Sequence, residues 1–193
     1  MSQTKIELLA PARDYAVGKA AIQAGADAVY IGGPAFGARA AAGNSTEDIS
    51  RLCEYAHLFD CKVLVTLNTL LTKDELKQAT ELAWELYHIG IDALIVQDLN
   101  LLGQDLPPIR LHASTQCDNR SASDVLAREK EGFKRAVLAR ELSLNQIRQI
   151  RSQTSIELEA FVHGALCVSY SGRCYMSERV CGRSANRGNC AQM

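Results

Sequence analysis

The sequence has no run of about 18 consecutive apolar residues, so no helix long and apolar enough to cross a bilayer is expected. Its opening residues MSQTKIELLAPARD lack an apolar stretch behind basic residues, so no secretory leader is expected at that point. Both absences lead to the expectation of a soluble, cytoplasmic protein with no membrane partner. Charge of one sign is missing too, since 21 lysines and arginines nearly cancel 22 aspartates and glutamates. No global field therefore recruits polyanions, and any anion binding has to be local. Aromatic residues make up only 6% of the chain, and neither a stacking platform nor a broad basic stripe stands out. There is no H-E-x-x-H helix and no G-x-S-x-G elbow, so neither common hydrolase mechanism is visible. No G-x-G-x-x-G follows the first strand candidate, which argues against a dinucleotide fold.

Among the features present, cysteine is the most unevenly distributed. Seven cysteines stand at 53, 61, 117, 167, 174, 181 and 190, an odd count with uneven spacing that does not suit a disulfide framework. The last four fall within HGALCVSYSGRCYMSERVCGRSANRGNC, separated by 6, 6 and 8 residues. Structural zinc sites use tight C-x2-4-C knuckles, which are absent here. Wide spacing suits an iron-sulfur cluster better, with zinc and free or redox-active thiols as the other readings. Arg173, Arg179, Arg183 and Arg187 are interleaved with these cysteines, and Glu178 is the only acid in the run. Their guanidinium groups would offset the charge of a thiolate-ligated cluster or grip a carboxylate or phosphate. The plainer reading is a solvated basic loop.

Upstream, short aliphatic runs alternate with amphipathic stretches. Seven strands are predicted, at 6–12, 27–33, 62–68, 92–98, 109–115, 135–141 and 156–164. Thr72 with Glu75, Ser143 with Gln146 and Ser121 with Asp124 read as capping boxes. Gly25, Gly90 and Gly132 each follow a helical stretch, where a left-handed residue ends a helix. The connection LNLLGQDLPP after the fourth strand is too short and proline-rich for a full helix. Repeated strand-helix units predict a parallel sheet, and polar residues at strand C-terminal ends favour a TIM-like (β/α)8 barrel over an open doubly wound sheet. Those residues are Asn68, Gln97, Asp98, His112, Ser114, Gln116, Arg140, Glu141, Glu159 and His163. Helix capping or helix contact is the bland account of several of them. On a period of two, His112, Ser114 and Gln116 share one face, as do Glu157, Glu159, Phe161 and His163. Both faces are expected to point into the upper barrel.

E-A-F-V-H-G-A-L-C-x6-C at 159–174, followed by G-R-S-A-N-R-G-N-C-A-Q at 182–192, resembles the signature of the collagenase-like peptidase family U32. LLAPA, VYIGG, TLNT, QDLN, LHASTQ and LARELS fit the same family, so the resemblance covers essentially the whole chain. It implies a TIM-like barrel and members that hydroxylate rather than cleave. These modify a tRNA uridine or a ribosomal RNA cytidine with prephenate as co-substrate, or act on ubiquinone precursors. It also implies a 4Fe-4S cluster on Cys167, Cys174 and Cys190. The usual fourth ligand lies in C-A-Q-P-C, whereas this sequence reads Cys190-Ala191-Gln192-Met193. A barrel truncated after its seventh strand is therefore expected, with Cys181 or Cys117 as possible substitutes for the fourth thiolate.

The expected organisation is a barrel domain over residues 1–164 and a Cys/Arg-rich cluster-binding segment over 165–193. Glu159 and His163 are the candidate proton-transfer residues. Asn68, His112, Gln116, Arg140, Arg183 and Arg187 are the candidate substrate-binding residues, with RNA as the expected partner. Two other readings stay open at this point: a peptidase using Cys167 with His163 or a metal, and a non-catalytic fragment or binding module. The residues leave the oligomeric state open.

Overall fold

The computed structural model describes residues 6–38, 43–164 and 167–191. All seven predicted strands are present: β1 (Leu9–Ala12), β2 (Ala28–Gly32), β3 (Lys62–Leu67), β4 (Ala93–Val96), β5 (Arg110–Ala113), β6 (Arg135–Val137) and β7 (Glu157–Glu159). They pair in parallel, strictly in chain order from β1 to β7. A doubly wound sheet needs a point where the strand order reverses, and this sheet has none among the described residues. The result is an open, barrel-like α/β fold in which β1 and β7 do not pair among the described residues.

Five helices make the crossovers or flank them: α1 (Tyr15–Gln23), α2 (Thr46–His57), α3 (Lys73–His88), α4 (Ala122–Lys130) and α5 (Leu144–Arg151). Their starts follow local chemistry. Thr72 and Glu75 close both hydrogen bonds of a capping box on α3, and Ser121 with Asp124 and Ser143 with Gln146 do the same on α4 and α5. Gly25, Gly90 and Gly132 stand at φ 97, 91 and 96, as the helix-ending positions require. Between β4 and β5 there is only a 3-10 turn, Leu99–Gly103.

Alternation along the strands sorts the core into two faces. Val29, Ile31, Val63, Val65, Leu94 and Val96 pack with Ile49, Leu52, Ala79, Ala83 and Leu86 of the helices. The alternate positions Ala28, Leu64, Ala93 and Ile95 form a second cluster with Leu9 and Tyr30 on the concave side. Adding a Cβ at Gly18 of α1 would bring it within 2.8 Å of Leu52 on α2, so the two helices meet through a glycine. Replacing Gly18 with leucine is expected to destabilise the fold by about 1 to 3 kcal/mol through overpacking, read as an earlier urea midpoint.

The strands are shorter than predicted, and this matters for the site. β6 ends at Val137 and β7 at Glu159, so Arg140, Phe161 and His163 stand on the loops that follow. The period of two also breaks after β5: Ser114 caps a 3-10 turn, Thr115–Cys117, and Gln116 leaves the face shared by His112 and Ser114.

After β7 the chain forms one short helix, α6 (Met176–Cys181), and a 3-10 turn, Ala185–Arg187. No helix among the described residues is long and apolar enough to cross a membrane.

Candidate functional site

A cavity of about 500 Å³ opens at the C-terminal ends of the strands. Its floor is built from the concave face through Tyr30, Thr66, Ile95, Ser114 and Val137, and its rim carries Arg13, Asn68, Arg140, Glu159, His163 and Cys167. This is where parallel barrels place their chemistry, because the loops after each strand converge there.

Asn68, Arg140, Glu159 and His163 are thus brought together as the sequence suggested. Asn68 is fixed by two hydrogen bonds, its Oδ1 accepting from the Ala38 amide at 2.9 Å and its Nδ2 donating to Ser114 Oγ at 3.3 Å. Arg140 donates from one Nη to the Ser169 carbonyl at 3.4 Å, while its buried Nε has no hydrogen-bond partner among the described residues. A buried guanidinium N–H without an acceptor is costly. Glu159 is pushed above the ordinary carboxylate range by burial, with Arg135 pulling in the opposite direction. His163 is exposed on the rim.

His112 is not in the cavity wall. It lies beneath it, 3% exposed, with neither ring nitrogen hydrogen-bonded among the described residues. Burial, then the charges of Arg135 and Arg110, pull its pKa down to about 3, so the ring is neutral. Gln116 also leaves the cavity. Its Oε1 accepts the Gly172 amide at 3.1 Å, which makes it an anchor for the Cys/Arg segment.

That segment is tied to the barrel mouth at two places. Over 169–173, Ser171 binds both carboxylate oxygens of Glu141 at 3.0 and 3.2 Å, and Arg173 pairs with Asp118 at 2.6 Å. At 184–188, Asn186 accepts the Leu70 amide at 2.9 Å, and Arg187 meets Glu75 at 2.9 Å and the Leu70 carbonyl at 3.1 Å. Arg187 is therefore engaged at the start of α3, and Arg183 donates to the Cys190 carbonyl at 3.1 Å. With the pair partly exposed, Arg187→Ala is expected to cost under about 1 kcal/mol globally while speeding amide exchange at Leu70.

A 4Fe-4S cluster needs its thiolates gathered around one small body. Among the described residues no three His, Cys, Asp or Glu side chains stand close enough to hold a metal ion. The thiols are not gathered into one metal-holding group among the described residues, and the expected convergence of Cys167, Cys174 and Cys190 over the mouth is not seen there. Only Cys167 lines the cavity. Cys181 donates to the Ser177 carbonyl of its own helix at 3.0 Å. Cys117 donates to the Val96 and Gln97 carbonyls, and burial pushes its thiol up to about 12.

Sequence reasoning passed over Arg13, Tyr30 and Thr66 in the cavity, and above all Arg135. The buried Arg135 meets Glu7 and Glu157 at 2.7 Å each and Glu159 at 3.3 Å. A lone arginine opening a strand gives no signal in one dimension, because its three partners are distant in sequence. Asp98, a strand-end candidate, does have the bland role: it accepts from the Leu71 and Asn100 amides.

The comparisons with known proteins agree with this architecture. Residues 13–193 match the model of peptidase family U32. The chain is 55% identical to the 23S rRNA 5-hydroxycytidine C2501 synthase of Escherichia coli strain K12, over 100% of this chain and 29% of that protein. It is 37% identical to tRNA hydroxylation protein P1 of Bacillus subtilis strain 168, covering 97% and 46% of the two chains. The chain thus spans less than half the length of these relatives. Among solved structures, the U32 peptidase Mk0906 superposes with a TM-score of 0.68 at 14% identity, over 83% of this chain and 70% of that one, a likeness of fold. The chain belongs to peptidase family U32.

Proposed function

We propose that this chain forms the substrate pocket of an RNA hydroxylation protein, acting on a ribosomal or transfer RNA nucleoside with prephenate as co-substrate. On this reading the chain is a TIM-like barrel truncated after seven strands, carrying its Cys/Arg-rich segment over the mouth. The observation that supports it most is the cavity at the strand ends, which Arg140 and Glu159 both line. A guanidinium suits the carboxylates of prephenate or an RNA phosphate, and a carboxyl whose pKa burial raises suits proton transfer. Relatives named for 23S rRNA hydroxycytidine synthesis and tRNA hydroxylation point to the same chemistry.

Iron-sulfur dependence belongs to this proposal through the cysteine spacing and the family resemblance, and no step is routed through the cluster. The residues themselves have definable tasks. Arg140 binds the anion, Asn68 orients it, and Glu159 gives or takes a proton, with His163 on the rim as a second proton-transfer group. A peptidase reading is favoured by one observation, that His163 and Cys167 line the same cavity.

The test supplies undermodified RNA and prephenate to anaerobically purified protein and follows the hydroxylated nucleoside by mass spectrometry. Glu159→Gln is expected to slow product formation by about 100- to 10,000-fold. Peptide cleavage that Cys167→Ser abolishes, with no hydroxylated nucleoside formed, would replace this reading with the peptidase.

A further inference from the structure

Arg135 opens β6 at the base of the sheet, at the opposite end from the cavity, and is itself only 8% exposed. Around it lie residues from four other parts of the chain: Glu7 ahead of β1, Lys62 at the start of β3, Arg110 at the start of β5, and Glu157 at the start of β7. Glu7 also has Lys62 at 2.5 Å, and Glu157 also has Arg110 at 2.7 Å. Each of these two carboxylates therefore has two cations. Glu159 differs, since among the described residues Arg135 is its only ion-pair partner.

The atoms make the arrangement more specific. In register, Arg135 stands opposite Glu157, and Glu159 is the diagonal neighbour two residues further along β7. The Arg135 Nη1 stands 2.7 Å from Glu7 Oε1 and donates to Glu159 Oε2 at 3.3 Å, so both carboxylates draw on one guanidinium nitrogen. Glu7 stands half-buried at the base of the fold, and Glu159 lines the cavity.

We propose that Arg135 is a positioning residue for the cavity: by sharing one guanidinium nitrogen between Glu7 and Glu159, it fixes the orientation and proton occupancy of the Glu159 carboxyl. The ion network at one end of the sheet thereby sets the acid-base behaviour of the pocket at the other. This rests on the reading of Glu159 as a proton-transfer group.

The direction of each effect follows from charge. Burial favours the protonated form of Glu159, Arg135 favours the ionised form, and Glu7 opposes ionisation. The remaining charged or titratable groups around it are Glu157 on its own strand, Arg110 and His112 of β5, and Lys62 of β3. On the cavity side they are Arg13, Arg140, His163 and Cys167. Removing Arg135 takes away the attraction. Removing the charge of Glu7 takes away a repulsion and leaves Nη1 to Glu159 alone.

The experiment titrates the protein labelled with ¹³C at the glutamate carboxyls, the Glu159 signal being assigned by its loss in Glu159→Gln. Arg135→Met is expected to raise the Glu159 midpoint by about 1 to 3 pH units, and Arg135→Lys to restore most of the difference. Glu7→Gln is expected to lower the midpoint, the opposite sign, and keeps the proposal testable should Arg135→Met fail to fold. A Glu159 midpoint that does not fall in Glu7→Gln would overturn the proposal. So would one that does not rise in a folded Arg135→Met variant. The titration is readable without any turnover, so the two failures separate. Absent product with a shifted titration sinks the functional reading, whereas product with an unshifted titration sinks this one.

Discussion

Replacing Gly172 with alanine is expected to release the Cys/Arg segment from the barrel mouth while leaving the barrel folded. Gly172 stands at φ 73, and a Cβ built there would lie 2.0 Å from the Gln116 carbonyl oxygen, well inside any tolerable contact. The positive φ alone costs an alanine about 1 kcal/mol, and the overlap with backbone adds about 1 to 3 kcal/mol more. Neither can be relieved locally, because Gln116 Oε1 also holds the Gly172 amide and Glu141 holds the neighbouring Ser171. The amides of 171–173 should then exchange roughly 30-fold faster or more, since each 1.4 kcal/mol is about a factor of ten. The strand amides of β2 to β4 should keep their protection, the core there being formed by residues far from the segment. Unchanged exchange at 171–173 would mean that the segment is not held by this contact.

The second large effect concerns acid. His112 is buried and neutral in the fold, its pKa pulled to about 3 by burial and by Arg135 and Arg110, against 6.5 in the unfolded chain. Between those values the unfolded chain binds a proton that the native state refuses. Stability contributed by the neutral ring is therefore complete above about pH 6.5 and is lost as pH falls towards 3, with a slope approaching 1.4 kcal/mol per pH unit. Glu7 and Glu157, held below the ordinary range by their cations, add the same sign only under pH 4.5. Glu159, raised by burial, has the opposite sign above 4.5. Urea unfolding between about pH 5 and pH 7 isolates the histidine from the two lowered carboxylates. Wild-type protein should lose stability across this range, and His112→Leu should lose much less. Equal slopes would show that another group carries the effect.

Much of this molecule is written locally in its sequence. The capping pairs at Thr72, Ser121 and Ser143 and the helix-ending glycines need only neighbours within a few positions, so both helices and strand order followed. What the sequence concealed depends on pairs distant in the chain. The arginines of the Cys/Arg segment have one acid nearby, Glu178, yet Arg173 and Arg187 find theirs in Asp118 and Glu75 of the barrel loops. Gln116 reads as a strand residue until the turn at Thr115–Cys117 redirects it. Arg135 has no local signature whatever. Four of the six rim residues, Asn68, Arg140, Glu159 and His163, were legible because barrels place polar residues after their strands. Cysteine spacing promised a gathered set of thiols, but spacing constrains reach and not direction.

The central claim is that the cavity at the strand ends, with Arg140 and Glu159 in its wall, hydroxylates an RNA nucleoside. Its most direct test deletes the gene encoding the protein in its own host and compares nucleoside masses from 23S rRNA and tRNA. We predict that one hydroxylated nucleoside disappears, returns with the wild-type gene, and does not return with Arg140→Ala or Glu159→Gln. Identical nucleoside masses in the deleted and parental strains would contradict the account.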